Sequence, residues 1–467
     1  MTKTRRRALL ITGGALVYAL LVGAAGVAGA STRSATPMPA PATASPSATA
    51  TPTIEPRAVP AAPVGAARLR TCSVAGAASD GRLAEFQAMV VNASTGEVLY
   101  DRGGYQPSRT ASVLKVLTSA AALSVLGPDY RLATTVVRGA EPGQVVLIGG
   151  GDPTLSRTPS GDESAYDGAP HLDDLAAQVR AAWNADPQTA GTPITSLVLD
   201  SSYFSGDTWE PSWNRKELYD GYMPEITALM VDGDRDNAYN NTSARSEDPV
   251  GRAGDAFASA LGGGVAVSRG VAPQGAPQLG RVESQPVSTL VYQTLIVSDN
   301  TIAEALARVT AIQAGAGNSF GSLQQGITAG LAAYGLDTSQ LRIADGSGLS
   351  PNNAVPPSYL TSLFIKVNNR EGNLWAVFDG LPVSGRAGSL SYSDRFSGAS
   401  SRADGAVHAK TGWIDDGYTL SGIVYAADGT PLTFAIYALG DVSDSAKQAI
   451  DALTAAFWDC GNNLSNL

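Results

Sequence analysis

Thr110-Ala111-Ser112-Val113-Leu114-Lys115-Val116-Leu117 decides how this 467-residue chain is read. Ser112 opens an apolar run that continues to Leu126 and breaks at Gly127-Pro128, the pattern of a buried helix. A serine and a lysine three positions apart on a helix share one face, so the Lys115 amine reaches the Ser112 hydroxyl. A serine hydroxyl is a poor nucleophile until a base takes its proton. A desolvated lysine beside a second cation has a lowered pKa and can be that base. The pattern is that of serine–lysine acyl transfer.

The chain has six lysines, and only Lys115 has a serine three residues before it. An accidental pairing with a solvated lysine is the competing reading. Val113, Leu114, Val116 and Leu117 oppose it, because they surround Lys115 with apolar neighbours. Only Lys410 is followed by Thr-Gly, which makes it the candidate second cation. Lys410-Thr411-Gly412 falls at a strand end beside Trp413. There Lys410 offers positive charge for a substrate carboxylate, Thr411 a hydroxyl to orient it, and Gly412 close backbone approach. The amides of Ser112 and Trp413 are candidates for an oxyanion hole.

Ser298-Asp299-Asn300 falls at a joint between two helical runs, where side chains can face a cleft. Ser298 is expected to relay a proton to the leaving amine, and Asn300 to hold a substrate amide. The S-x-N pattern recurs at Ser212-Trp213-Asn214 and Ser350-Pro351-Asn352, so only order and helical setting select Ser298. A plain helix cap by Ser298 or Asp299 is the alternative. The two histidines, His171 and His408, lie in no nucleophile-elbow context, which argues against a Ser-His-Asp triad. No His, Cys or Glu pair has metal-ligand spacing, so neither metal nor cofactor is expected.

A hydrophobic content of 44% with 16% charged residues describes a globular protein, and the length favours two or three domains. A net charge of −10 argues against nucleic acid as a partner. Arg5-Arg6-Arg7 precede an apolar run from Ala8 to Ala30 ending in Ala28-Gly29-Ala30, which reads as a secretory signal over 1–30. The run is long enough to span a bilayer, so a membrane anchor through residues 8–30 is the alternative. Either way the chain is expected outside the cytoplasm. Residues 31–66 are almost wholly Ala, Pro, Ser and Thr, and form an expected disordered linker. Cys72 and Cys460 bracket the globular part. In an exported chain they are expected to pair, two free thiols being the alternative.

Within the globular part, Phe86–Asp101 reads as a hairpin turning at Ser94-Thr95-Gly96. From Tyr130 to about Arg281 the texture shifts to short strands at Ala133–Val137, Val145–Ile148 and Ile194–Asp200, with one amphipathic helix at His171–Trp183. This reads as one inserted domain or two small ones, over 131–285. Helical runs follow at Val287–Val297, Asn300–Gln313, Phe320–Tyr334 and Pro357–Val367. Strands are expected at Ala406–Gly412, Thr419–Ala427 and Pro431–Leu439, then a helix at Ser443–Trp458. The hairpin and these strands would make one five-stranded sheet, an α+β sandwich assembled from 67–130 and 286–467.

The ordered set Ser112-x-x-Lys115, Ser298-x-Asn300 and Lys410-Thr411-Gly412 resembles the penicillin-recognising serine enzymes. Within them it is similar to the class C low-molecular-mass penicillin-binding proteins, the D-alanyl-D-alanine carboxypeptidases and endopeptidases. Gly149-Gly150-Gly151-Asp152-Pro153-Thr154-Leu155, Asp345-Gly346-Ser347-Gly348-Leu349-Ser350, and Leu381-Pro382 with Gly388-Ser389-Leu390 carry the match further. The resemblance implies a β-lactamase-like transpeptidase fold with an insertion between the first two motifs, peptidoglycan peptides as substrates and β-lactams as acylating inhibitors. It also implies an acyl-Ser112 intermediate. The interval between Ser112 and Ser298 is short for the family, and Trp413 replaces a usually small residue. A β-lactamase and a non-catalytic wall-binding module are the rival readings.

Overall fold

The structure, a computed structural model, describes residues 69–466. The expected signal, anchor and linker therefore lie outside the described residues. In chain order the strands are β1 (Glu85–Asn92), β2 (Val98–Arg102), β3 (Ala133–Arg138), β4 (Gln144–Gly149), β5 (Ser196–Asp200), β6 (Ala266–Arg269), β7 (Gln278–Glu283), β8 (Val407–Ile414), β9 (Gly417–Tyr425) and β10 (Pro431–Leu439).

The first sheet is antiparallel, in the order β2-β1-β10-β9-β8. Its five strands are the N-terminal hairpin and the three C-terminal strands that the sequence pattern predicts. The register of β1 on β10, from Glu85 opposite Leu439 to Asn92 opposite Leu432, joins the two ends of the body. Period-two alternation sends Phe434, Ile436 and Ala438 into one apolar layer and Ala435 and Tyr437 into the other. The helix Ala446–Cys460 covers the first face, and the helices Leu114–Val125 and Pro357–Asn368 belong to the second layer. With apolar material on both faces, β9 and β10 are buried over nearly their whole length. Each fully buried Leu, Ile, Val or Phe contributes about 1.5–3 kcal/mol relative to exposure.

Cys72 and Cys460 form a disulfide with Cα atoms 5.4 Å apart, closing the body across 388 residues. The parallel bridge from Cys72 to Leu464 reinforces the same junction.

The segment between the first two motifs carries a second sheet, mixed rather than antiparallel, in the order β6-β5-β4-β3-β7. The three strands and the helix expected there are present, the helix as Leu172–Ala185. Sequence patterning misses β6, β7 and the helix Pro249–Ala260. All four residues of β6 are exposed, so the strand has no apolar alternation to betray it. Phe204, Trp209 and Trp213 leave this segment to join the main helical core, alongside Leu306, Leu323 and Leu363. The segment is thus packed into the body rather than hung from it.

Candidate active site

The helix of the first motif begins later than the apolar pattern suggests. Ala111–Val113 is a 3-10 turn and the α-helix starts at Leu114. Ten of its twelve residues are buried, so the helix has almost no solvated face. Ala111 holds a positive φ of 46°, which places Ser112 half-exposed at the cleft while Lys115 is fully buried. Gly348 explains how this turn is supported. Its own φ is +88°, and a Cβ there would lie 1.9 Å from the Ala111 carbonyl oxygen.

Lys115 Nζ donates three hydrogen bonds: to Ser112 Oγ at 2.7 Å, Asn300 Oδ1 at 2.6 Å and the Ser347 carbonyl at 2.8 Å. Burial pulls its pKa from the ordinary lysine value down to about 8, against the opposing pull of Asp345, Glu304 and Asp299. Lys410 Nζ donates to Ser298 Oγ at 2.9 Å and to the Thr411 carbonyl at 2.7 Å. Burial, then the charges of Lys115 and Arg395, hold Lys410 well below the ordinary value. Lys115 owes its lowered pKa to burial, and the effect of a neighbouring cation falls on Lys410.

Ser298 occupies the joint between the helices Val287–Ile296 and Asn300–Gln313, with a positive φ of 63°. The competing cap reading is partly right: Asp299, not Ser298, caps the second helix by accepting from the Ile302 amide at 2.8 Å. That leaves the flanking side chains free for Lys410 and Lys115. Asn300 Nδ2 also donates to the Tyr222 carbonyl at 3.1 Å. Burial alone would raise the Asp299 carboxyl. Arg235, the Ile302 amide and Arg245 outweigh it and hold the group below its ordinary value.

Lys410-Thr411-Gly412 lies within β8, which runs on through Trp413 to Ile414. A Cβ at Gly412 would meet Thr419 Oγ1 at 2.2 Å and the Thr110 carbonyl oxygen at 2.8 Å. Only a glycine lets the strand lie this close to the Ser112 turn, as the sequence reading expects. Thr419 Oγ1, on the neighbouring strand β9, also ties the sheet to this turn by donating to the Thr110 carbonyl at 2.7 Å. Thr411 Oγ1 is 2.7 Å from Ser389 Oγ.

The three motifs meet at one cleft of about 750 Å³ lined by Ser112, Ser298, Asn300, Thr411, Gly412 and Trp413. Trp413 is 49% exposed, and its ring stands edge-on to Tyr222 at 6.5 Å across the opening. Neither histidine lines it: His171 is engaged with the Thr158 carbonyl and His408 stacks on Phe378. A β-lactamase would need a glutamate to activate its deacylating water; Glu217 lines the cleft, whereas Glu210 and Glu225 bond to Ser212 and to Thr208 and Arg215. Among the described residues no group of three or more His, Cys, Asp or Glu side chains could hold a metal ion.

The D-Ala-D-Ala carboxypeptidase 3 (S13) family pattern matches residues 71–240 and 234–459. The chain belongs to this family. It is 35% identical to carboxypeptidase DacB of Mycolicibacterium smegmatis over 427 residues, 88% of each chain. It is 27% identical to a D-alanyl-D-alanine carboxypeptidase of Actinomadura sp., over 78% of this chain and 79% of that one. Penicillin binding protein 4 of Haemophilus influenzae has the same fold, with a TM-score of 0.66 at 20% identity, covering 79% of this chain and 95% of that one. The chain is thus a class C low-molecular-mass penicillin-binding protein.

The roles of several residues at this S13 site escape the motif reading, although Asp345 and Ser347 lie in a stretch that carries the resemblance. The Ser347 and Tyr222 contacts are made by backbone carbonyls, which no residue type signals. Glu304 is buried and accepts the Gly346 and Ser347 amides, so it fixes the loop whose carbonyl holds Lys115. Burial and Asp345 push its carboxyl up to about 8. Asp345 secures the rest of that loop by accepting from the Gly348 and Ser350 amides and Trp213 Nε1.

Proposed function

We propose that this S13 enzyme is a serine-type D-Ala-D-Ala carboxypeptidase, with DD-endopeptidase activity within reach of the same chemistry, acting on cell-wall peptides through an acyl-Ser112 intermediate. The observation that carries the reading is Lys115 Nζ, buried and 2.7 Å from Ser112 Oγ. An amine with a pKa near 8 spends a useful fraction of its time uncharged at neutral pH. In that form it takes the Ser112 proton as Oγ attacks the carbonyl between the two D-alanines. The amides of Ser112 and Trp413 receive the developing oxyanion. When the C–N bond breaks, Ser298, backed by Lys410, delivers a proton to the departing amine. Water then attacks the ester and releases Ser112. Asn300 orients the peptide amide, and Lys410, Thr411 and Gly412 receive the substrate carboxylate.

The test is mass spectrometry of the protein after benzylpenicillin, beside Ser112→Ala. A stable penicilloyl adduct on the wild type alone supports the reading. Release within seconds would make the protein a β-lactamase, and no adduct at all would leave a binding module.

The basic and apolar start of the sequence supports export to the outer face of the membrane, either secreted or held through residues 8–30. Cell fractionation of the full chain against one starting at residue 31 tests this. Recovery of both in the cytoplasm would refute export.

A further inference from the structure

Ser298, Asp299 and Asn300 are consecutive, yet their side chains have three different partners. Ser298 Oγ accepts from Lys410, and Asn300 Oδ1 from Lys115. Asp299 turns to the inserted segment: Oδ2 accepts from Arg235 Nη2 at 2.9 Å and from the Tyr166 hydroxyl at 3.3 Å. The ion pair is nearly buried in the wall of the cleft, which both residues line, with side-chain exposures of 1% for Arg235 and 5% for Asp299.

Arg235 is itself held. Nη1 donates to the Asp232 carbonyl at 3.0 Å, Nε to the Asn241 carbonyl at 3.1 Å, and the guanidinium lies 4.4 Å over the Tyr166 ring. It is delivered by Asp232-Gly233-Asp234, all three at positive φ (51°, 58° and 59°). Left-handed backbone at two non-glycine residues is costly and persists only where the surroundings fix it. Here Asp232 is fixed by Ser156 and Arg157, and Asp234 by Ser246 and Arg252. Ser298 is strained in the same way, at φ 63°. Two strained turns, one on each side, thus meet through a single ion pair.

The geometry points to Arg235, seated on Asp299, as the positioning residue through which the inserted segment aims Ser298 and Asn300 for acyl transfer. This rests on the roles proposed above for those two residues. Arg235 touches no reacting atom. It acts by fixing the one residue between the two that do.

The bland alternative is that the pair merely holds the fold together. Removing one partner would leave a buried unpaired charge and confuse the two. The double variant Arg235→Met/Asp299→Asn avoids this, because it buries no charge and asparagine still caps the helix. The measurements are the rate constant of acylation by a fluorescent penicillin, per folded molecule, and kcat and KM on an acyl-D-Ala-D-Ala peptide.

Positioning predicts that kcat and the acylation rate fall on the order of 10²-fold, since a small misplacement of catalytic groups costs that much. Arg235→Lys is expected to fall between wild type and the double variant, its ammonium pairing with Asp299 without the planar fork. Rates within about twofold of wild type in the double variant, below any effect expected of misplaced groups, would overturn the proposal. If that variant does not fold, Arg235→Lys, which keeps the charge pair, is judged by the same criterion. Absence of an adduct in the wild type is a separate outcome, which would overturn the acyl-enzyme reading and this proposal together.

Discussion

Lys115 and Asn300, 185 residues apart in sequence, meet with 2.6 Å between Nζ and Oδ1. A neutral amide acceptor here satisfies the lysine without favouring its charged form as a carboxylate would. That choice keeps the pKa near 8 attainable despite Asp345, Glu304 and Asp299.

Acylation by penicillin is therefore expected to rise with pH through about 8 as Lys115 loses its proton. The sign follows from burial, which lowers an amine: the base form grows above its pKa and is lost below it. Asn300→Asp puts a carboxylate against the ammonium and moves the rising limb to higher pH, with about a tenfold loss at neutral pH for each unit moved. A pH series of acylation rates on both proteins decides this, and an unmoved limb in Asn300→Asp would remove Lys115 as the base.

Lys410 is held well below the ordinary value in the unliganded cleft by burial and by Lys115 and Arg395. A substrate carboxylate beside it would favour its charged form and raise its pKa. Binding of an acyl-D-Ala-D-Ala peptide to Ser112→Ala is therefore expected to be accompanied by proton uptake. Calorimetry in buffers of different ionisation enthalpy reads this directly. No buffer dependence would mean that Lys410 does not meet the carboxylate.

Gly348→Ala tests the support beneath the nucleophile. The added methyl would have to displace the Ala111 carbonyl, backbone on both sides, at a position already left-handed. We expect a loss of roughly 1–3 kcal/mol in stability, the cost of such local strain, together with slower acylation. Denaturant melts and acylation rates check it, and wild-type values for both would show that the turn at Ala111 has slack.

Replacing Cys72 and Cys460 by serine opens a loop of 388 residues. Loop-closure entropy sets an upper bound of roughly 5–6 kcal/mol on the stability lost. Neither cysteine lines the cleft, so acylation by the folded fraction is expected to stay at the wild-type rate. A catalytic defect in the folded variant would show that the junction of the chain ends shapes the site.

The candidate residues could be picked out in advance because each motif is local: Ser112 and Lys115 across one helical turn, Ser298 and Asn300 flanking a cap, Lys410 to Gly412 on one strand. The five-stranded sheet was equally legible, since its strands alternate and end at clear turns. What aims these residues was not. Arg235 sits in a Gly- and Asp-rich turn whose composition suggests only a surface loop. Its partner, Asp299, looks like an ordinary cap. Backbone acceptors such as Ser347 and Tyr222 leave no trace in residue type, and an exposed strand such as β6 has no pattern to find.

The pairing of β1 with β10 also sets a constraint in time. Residues 85–92 find their partner only when residues 431–439 are available, so the central sheet cannot close on an unfinished chain. Lys410 likewise arrives late, on β8. Contacts this distant in sequence make for slow folding, with the hairpin edge open meanwhile. A truncated or still-emerging chain therefore holds Ser112 without the strand that completes its cleft, and the hydrolase stays silent until its last strands are in place.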